Sequence, residues 1–343
     1  MVEKNIIGWK PQNYESRVAS VRIRCLNVMR TLRMRGIDVE LFNKKKVRDY
    51  KSVIFSKTYN LKDIELAEQL KRQGTTILFD ICDNHFLLSE ARVARLKQML
   101  DLADHWIVSS EEMANTLRQQ TNESKPLWII EDAVEENLNG NRLNIAALVR
   151  ARYQFGRLRE FLYKPENISS THLVWFGNHK ASYHDSGLKH MSKLQPLLEN
   201  LHHSSPITLS VISNSYEAFK DVFANWSVPV AYLEWSAHTF FSALKLHTIA
   251  VIPIEVNEFT KVKTNNRILL SLNLGLGVVA DRIQSYDIFS ECSFLDRWEE
   301  GLTTYIRNPD LIKEHTCVAA KLIQSNYSLE VISDKWEKLL STA

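Results

Sequence analysis

At 343 residues the chain exceeds one typical core and suits two α/β domains. Its composition, 45% apolar and 24% charged, excludes wholesale disorder, and no run of about 20 apolar residues marks a membrane span. The net charge of +3 hides an asymmetry, because residues 1–51 carry thirteen Lys or Arg against five Asp or Glu.

In chain order, the N-terminus has no apolar run long enough for a signal peptide and reads as a first strand, Asn5–Trp9. Further strands are predicted at Val39–Phe42, Ser52–Ser56, Thr76–Phe79, Trp106–Val108 and Leu127–Ile130, with helices near 19–35, 61–73, 89–103 and 111–120. Residues 133–170 break this rhythm with one helix, a Lys164-Pro165 turn and a polar tail, so the linker falls near 165–171. Strands resume at Leu173–Phe176, Thr208–Ile212, Val230–Leu233, Ile249–Ile254 and Val278–Ala280, with helices near 187–202, 215–224, 238–246 and 264–274. Two rounds of βα units predict an α/β protein of two Rossmann-like domains, 1–168 and 169–326, with parallel sheets facing a central cleft. The final stretch, Tyr327–Leu340, carries Trp336 and Leu339 at helical spacing, and a helix over 327–343 is expected to cross back to the first domain. The cysteines, Cys25, Cys82, Cys292 and Cys317, lack C-x-x-C spacing and read as buried thiols of a cytoplasmic protein, with no zinc site or disulfide framework.

The most informative segment is 249–281. A strand ends at Pro253, a polar loop follows, and a helix opens with Thr264 or Asn265 as its N-cap and stops at Gly275. A helix N-terminus at a strand's carboxyl end presents N–H groups and a positive dipole end, which suits a pyrophosphate. Lys261, Lys263 and Arg267 add cations there, with Asn265 and Asn266 as polar neighbours. A solvated basic first turn explains the same residues, though against the dipole.

The run Lys263-Thr264-Asn265-Asn266-Arg267, with Leu269–Gly275 and Gly277-Val278-Val279-Ala280 after it, resembles a stretch of bacterial GT-B glycosyltransferases. Those enzymes are similar to the family-four group that builds surface polysaccharides; there a K-S-x-N-[KR] helix start runs into A-x-G-x-P-V-V-A. Leu173-Val174-Trp175-Phe176-Gly177-Asn178 looks like the first strand and glycine turn of the donor domain. Leu102–Ser110 is similar to the A-D-x-[IV]-[IV]-x-S-S strand of the acceptor domain, and Ile130–Glu135 to the I-x-N-G-V-[DE] turn. Retaining family members usually carry an E-x(7)-E pair ahead of the glycine. In register with Gly275 the two positions hold Val262 and Leu270, and Gly277 replaces the common proline. Glu255 and Glu258 lie earlier in the loop, and donor identity and stereochemical outcome stay open.

The resemblance implies roles for four further groups. Asp83 and His85, in the run Asp80–His85 after a strand, would orient a hydroxyl or take its proton, although a turn-and-cap cluster reads the same way. Asn178 and Lys180, with His179, Tyr183 and His184, would meet the donor phosphates or sugar, or form a polar surface loop. Arg17, Arg22 and Arg24, with Ser16 and Ser20, resemble an S-x-R-x-R start that meets an anionic acceptor or donor. Trp235 would stack on the nucleobase, or simply be buried.

The leading expectation is transfer of a sugar from a nucleoside diphosphate sugar to a glycan or lipid-linked acceptor, as in surface polysaccharide or glycoconjugate biosynthesis. The resemblance implies no cofactor beyond the donor substrate and no metal, and the sequence has no D-x-D-type motif. Alternatives are a non-catalytic nucleotide- or sugar-binding partner in a glycan assembly complex and a nucleotide-sugar epimerase of the same architecture. A dinucleotide oxidoreductase is disfavoured, because no G-x-G-x-x-G follows a predicted strand. The basic N-terminal region, including Arg30, Arg33, Arg35 and Lys44–Lys46, suits peripheral contact with the inner membrane face or a phosphorylated acceptor, or is a solvated helix face. Nucleic acid is not expected, since no basic–aromatic interleaving accompanies the charge.

Overall fold

Short runs of β-branched and aromatic residues between amphipathic stretches dictate alternating strands and helices. The computed structural model builds them as two six-stranded parallel sheets. It describes residues 5–15, 18–122, 125–136, 145–179 and 187–343. The chain divides into two compact units: Met1–Val134 with Asn257–Thr264 and Gln324–Ala343, and Glu135–Val256 with Asn265–Ile323.

The first unit contains β1 (Ile6–Pro11), a π-helical turn (Val21–Asn27) running into α1 (Val28–Met34), β2 (Val39–Leu41) and β3 (Tyr50–Ser56). It continues through α2 (Leu61–Arg72), β4 (Thr76–Ile81), α3 (Glu90–Leu102), β5 (His105–Val108), α4 (Glu111–Gln120) and β6 (Leu127–Ile129). Strand order is β2-β1-β3-β4-β5-β6, so the order reverses between β1 and β3. Residues alternate faces along each strand. Val53, Phe55, Ile77, Phe79, Trp106 and Val108 belong to one core, shared with α2, α3 and α4. Ile7, Trp9, Ile54, Leu78 and Ile107 belong to the other, with α1 and the C-terminal helix Leu329–Thr342. That helix packs on α1, and its fully buried Trp336 meets Trp9 with ring centroids 4.7 Å apart. Helix α2 starts on a capping box: the Asn60 side chain accepts from the Asp63 N–H, and Asp63 accepts from the Asn60 N–H.

Asn257–Thr264 joins this unit because its apolar residues are buried there. Val262 is part of the α2–α4 core, and its carbonyl accepts from Ser110 Oγ at 2.9 Å. Asn257 Oδ1 accepts from the Phe259 and Thr260 N–H groups, which fixes the turn.

The second unit contains α5 (Ile145–Leu162), β7 (Thr171–Phe176), a 3-10 segment (Gly187–Leu194), α6 (Gln195–Ser204), β8 (Ile207–Ser213), α7 (Tyr216–Phe223) and β9 (Val230–Glu234). It continues through α8 (Phe240–Leu244), β10 (Ile249–Ile252), α9 (Asn266–Asn273), β11 (Gly277–Ala280), β12 (Phe294–Leu295), α10 (Trp298–Arg307) and α11 (Asp310–Asn326), whose last turn holds the division between units. Strand order is β9-β8-β7-β10-β11-β12, with its reversal between β7 and β10. Leu173, Trp175, Leu209, Val211, Ile249, Val251 and Val279 build the core of one face. Contacts group α5 with this unit, whereas the sequence pattern sets a domain boundary at residue 168. Helices α10 and α11 and the short β12 lie in a stretch to which the sequence pattern assigned no element. All four cysteines are free; three are buried, and Cys317 on α11 is exposed, contrary to the expectation of four buried thiols.

Candidate functional site

Open parallel sheets bind ligands beyond their strands' carboxyl ends, at the point where strand order reverses. In the first unit that point holds a small pocket lined by Pro11 after β1, Ser56 and Lys57 after β3, Asp80 of β4, and Ser20 and Arg24 of the helical turn.

Arg24, expected to meet an anionic acceptor, is 3% exposed and heavily engaged. Its Nε donates to Asp80 Oδ1 at 2.7 Å, and an η-nitrogen donates to the Ile130 carbonyl at 2.6 Å and to Asp132 at 3.1 Å. The guanidinium lies 5.6 Å from the Trp336 ring centroid. Burial works against its charge, but Asp80 and then Asp132 outweigh that and hold its pKa above the ordinary arginine value. Arg24 thus ties the helical turn to β4 and the chain after β6. Arg22 is half-buried on the same turn, and Arg17 lies outside the described residues.

Asp83 and His85 follow β4, as the sequence predicts. The Asp83 carboxylate is buried and ion-paired with both Lys57 and Lys263. Burial pushes its pKa up, but Lys263 and Lys57 outweigh burial and hold the carboxyl well below the usual range. A carboxylate so stabilised is a weak proton acceptor at neutral pH. Lys57 sits at φ 56°, a left-handed conformation costing a side-chain-bearing residue about 1–3 kcal/mol. His85 is buried and shares a 2.9 Å hydrogen bond between its Nδ1 and the Tyr59 hydroxyl. Burial first, then Lys57, lower its pKa to about 4, so the ring is neutral at pH 7. Asn84 donates to the Glu258 carbonyl at 2.9 Å, adding a tie to Asn257–Thr264.

Lys263, expected beside Arg267 on a donor phosphate, is described with the first unit, since the division falls between Thr264 and Asn265. Its Nζ meets Asp83 and lies 4.0 Å from the Phe259 ring centroid. Sequence reasoning did not single out Lys57 or Tyr59. Their one signal is position, immediately beyond the end of β3.

In the second unit the reversal point lies between the ends of β7 and β10. Beyond β7, Gly177 accepts from Ser213 Oγ at 2.9 Å, and Asn178 is exposed at the turn. Gly187, at φ +82°, closes on this turn so tightly that a Cβ there would meet the Asn178 carbonyl oxygen at 2.6 Å. Lys180, Tyr183 and His184 lie outside the described residues. Asn265 is the buried N-cap of α9, and Asn266 and Arg267 form its first turn. Arg267 lies beside the buried Tyr286, and its η-nitrogen lies 3.9 Å from where a Cβ on Gly177 would stand. Burial pushes the Tyr286 hydroxyl up, and Arg267 opposes the shift. A helix start, a guanidinium and a glycine turn therefore meet in one unit, an arrangement suited to phosphate oxygens. Trp235 is half-buried beyond β9, with its ring centroid 5.9 Å from that of Phe240. Asp281, after β11, is held by Lys193, the Ile254 N–H and Trp298 Nε1, a cluster the sequence reading did not single out.

No family model matches the sequence, and no curated protein does. Solved structures do match in fold. A sucrose-phosphate synthase from Thermosynechococcus elongatus aligns with a TM-score of 0.71 at 11% identity, over 98% of both chains. A glycosyltransferase from Rickettsia africae ESF-5 aligns at 0.67 and 12% identity, over 99% of both chains. A UDP-forming α,α-trehalose-phosphate synthase from Burkholderia xenovorans aligns at 0.58 and 11% identity, over 93% of this chain and 78% of that one. The fold is that of GT-B glycosyltransferases.

Val262 and Leu270, the two positions that the sequence resemblance sets in register with a glutamate pair, are both buried apolar residues. Glu258 instead pairs with Lys261 at 2.8 Å. Among the described residues, no cluster of His, Cys, Asp and Glu has a metal-holding arrangement, and no helix is long and apolar enough to cross a membrane. The basic N-terminal region is largely engaged within the chain. Arg33 donates to the Val39 carbonyl, Arg35 pairs with Asp334 and Glu337, and Lys46 pairs with Glu40.

Proposed function

We propose that the protein is a glycosyltransferase that moves a sugar from a nucleoside diphosphate sugar to a glycan or lipid-linked acceptor, in surface polysaccharide or glycoconjugate assembly. One observation carries the reading: Arg267 stands at the first turn of α9 beside the glycine turn after β7, on a fold shared with glycosyltransferases. Negative charge grows on the departing pyrophosphate, and a preorganised guanidinium with helix N–H groups stabilises it without reorganisation. Asn265, Asn266 and Asn178 supply polar contacts to the same phosphates, and Trp235 packs on the base. Lys263 supports the reaction indirectly by holding Asp83. The acceptor enters at the pocket beyond β1, β3 and β4, and the neutral His85, in the segment that follows β4, acts as a hydrogen-bonding partner for a hydroxyl. The donor is the only small molecule required, and no metal takes part. The protein works in the cytoplasm, and peripheral contact with the inner membrane face runs through Arg30, Lys44 and Lys45, exposed on the N-terminal segment.

A second reading, a nucleotide- or sugar-binding partner without turnover, is favoured by the apolar Val262 and Leu270 and by the neutralised Asp83. A donor panel of UDP, GDP, CDP and CMP sugars separates the two. Thermal stabilisation by one donor, with sugar transfer or donor hydrolysis that falls about 100-fold in Arg267→Ala, supports the transferase. Stabilisation with no turnover on any acceptor supports the binding partner, and turnover unchanged in Arg267→Ala refutes the site.

A further inference from the structure

Helix α5 buries only one face. Ala151, Leu158 and Leu162 are buried, and the helix packs on β9. The opposite face carries large apolar side chains in the open: Ile145 is 72%, Val149 61% and Tyr153 65% exposed. Their four-residue spacing sets them along one line of a 3.6-residue helix, and Tyr163, just past its end, is also exposed. Arginines flank the line on both sides. Arg150 and Arg157 project along one edge, Arg152 and Arg159 along the other, and all four are exposed. Arg150 pairs with Glu234 of β9, and Glu160, exposed on the same face as Tyr153, is the one acid in the helix.

We propose that this face of α5 is a docking surface for an anionic phospholipid bilayer. An aliphatic and aromatic line enters the boundary between headgroups and acyl chains, while arginines on either edge reach up to lipid phosphates. Guanidinium groups bind phosphate in a fork geometry, and each basic group near a negatively charged leaflet adds to the attraction. The charge pattern also selects among occupants. Two copies docking through this face would bring arginine edges against arginine edges, and like charges in contact oppose association. The surface is separate from the phosphate site around Arg267 and from the N-terminal contact proposed above. Its failure would therefore leave sugar transfer to a soluble acceptor untouched.

Vesicle flotation of the full chain tests it, with phosphatidylcholine vesicles made with and without phosphatidylglycerol. The wild type is expected to float with the phosphatidylglycerol vesicles and to be released by salt. Val149→Asp combined with Tyr153→Asp, and separately Arg152→Gln with Arg157→Gln and Arg159→Gln, should each lower partitioning by about tenfold or more. Both sets are exposed, so melting temperatures should match wild type and rule out misfolding as the cause. Lys62→Gln with Lys97→Gln, exposed on α2 and α3, serves as the comparison and should retain binding. Three outcomes overturn the proposal: no flotation of the wild type, binding lost in the Lys62/Lys97 variant but kept in both α5 variants, or a self-association by sedimentation that the α5 variants abolish.

Discussion

The pairing of Asp83 with Lys57 and Lys263 predicts a specific pattern of energetic coupling. Asp83→Asn removes the carboxylate but keeps its shape, leaving two ammonium groups apposed in a site where Lys57 is largely buried and the Lys263 side chain is 34% exposed. Removing one member of a fully buried pair costs about 3–5 kcal/mol, and the partial exposure of Lys263 brings the expectation for Asp83→Asn to about 3 kcal/mol. Lys263→Met leaves Asp83 with Lys57 and should cost only about 1–2 kcal/mol, much of it from the contact with Phe259. The double variant no longer apposes two cations, so its loss should fall short of the summed losses by about 1–2 kcal/mol, the coupling expected of residues in contact. Urea unfolding followed by circular dichroism measures all four proteins. Additivity within about 0.3 kcal/mol would refute the ion pair as the role of Lys263. The same variants separate anchoring from donor binding, because losing a lysine that binds the donor phosphate raises the donor KM whether or not Asp83 is present.

Two other features give testable expectations. His85 and His247 are buried neutral, each with its pKa lowered by burial to about 4. Each therefore contributes stability that is present above the unfolded value near 6.5 and lost as pH falls toward 4, about 2 kcal/mol apiece by pH 5. His85→Asn, whose amide can keep the Tyr59 bond, should flatten this loss between pH 7 and 5; a pH profile of unfolding identical to wild type would contradict the assignment. Arg24→Met strands the buried Asp80 and Asp132 without their cation and should cost about 3–5 kcal/mol in urea unfolding. A loss under about 1 kcal/mol would mean that Ser56, which donates to Asp80, satisfies that carboxylate alone.

The alternation of strands and helices was legible because its signals are local. Thr76–Ile81 declares itself by four consecutive strand formers or apolar residues, Thr76–Phe79, and a strand fixes that Asp83 and His85 fall beyond its carboxyl end. What was not legible is what meets Asp83 there. Lys57 lies 26 residues away and Lys263 180 residues away, and no period in the sequence encodes an ion pair across such a separation. The same holds for Arg24, whose S-x-R-x-R setting suggests an outward-facing cation until Asp80 and Asp132 close around it. Helix α10 escaped for a local reason: Gly301 in its interior lowers helix propensity. The fold requires that glycine, since a Cβ would stand 2.6 Å from Phe294 Cβ.

These misses bear on how the chemistry must work. The sequence leaves Asp83 or His85 to orient a hydroxyl or take its proton, since Val262 and Leu270 stand where the resemblance puts a glutamate pair, and the structure buries all four. Val262 and Leu270 are core residues, Asp83 is neutralised by two lysines, and His85 holds no proton to give at pH 7. For the proposed sugar transfer, the remaining candidate groups are cationic and dipolar: Arg267, the start of α9, and the amides of Asn265, Asn266 and Asn178. Catalysis built on them comes from positioning and from stabilising the leaving pyrophosphate rather than from proton transfer by a side chain. It follows that turnover should respond strongly to the charge of the leaving nucleotide and to Arg267, and only weakly to His85→Asn. A steep loss of turnover in His85→Asn, with donor binding intact, would return the acid–base role to that ring.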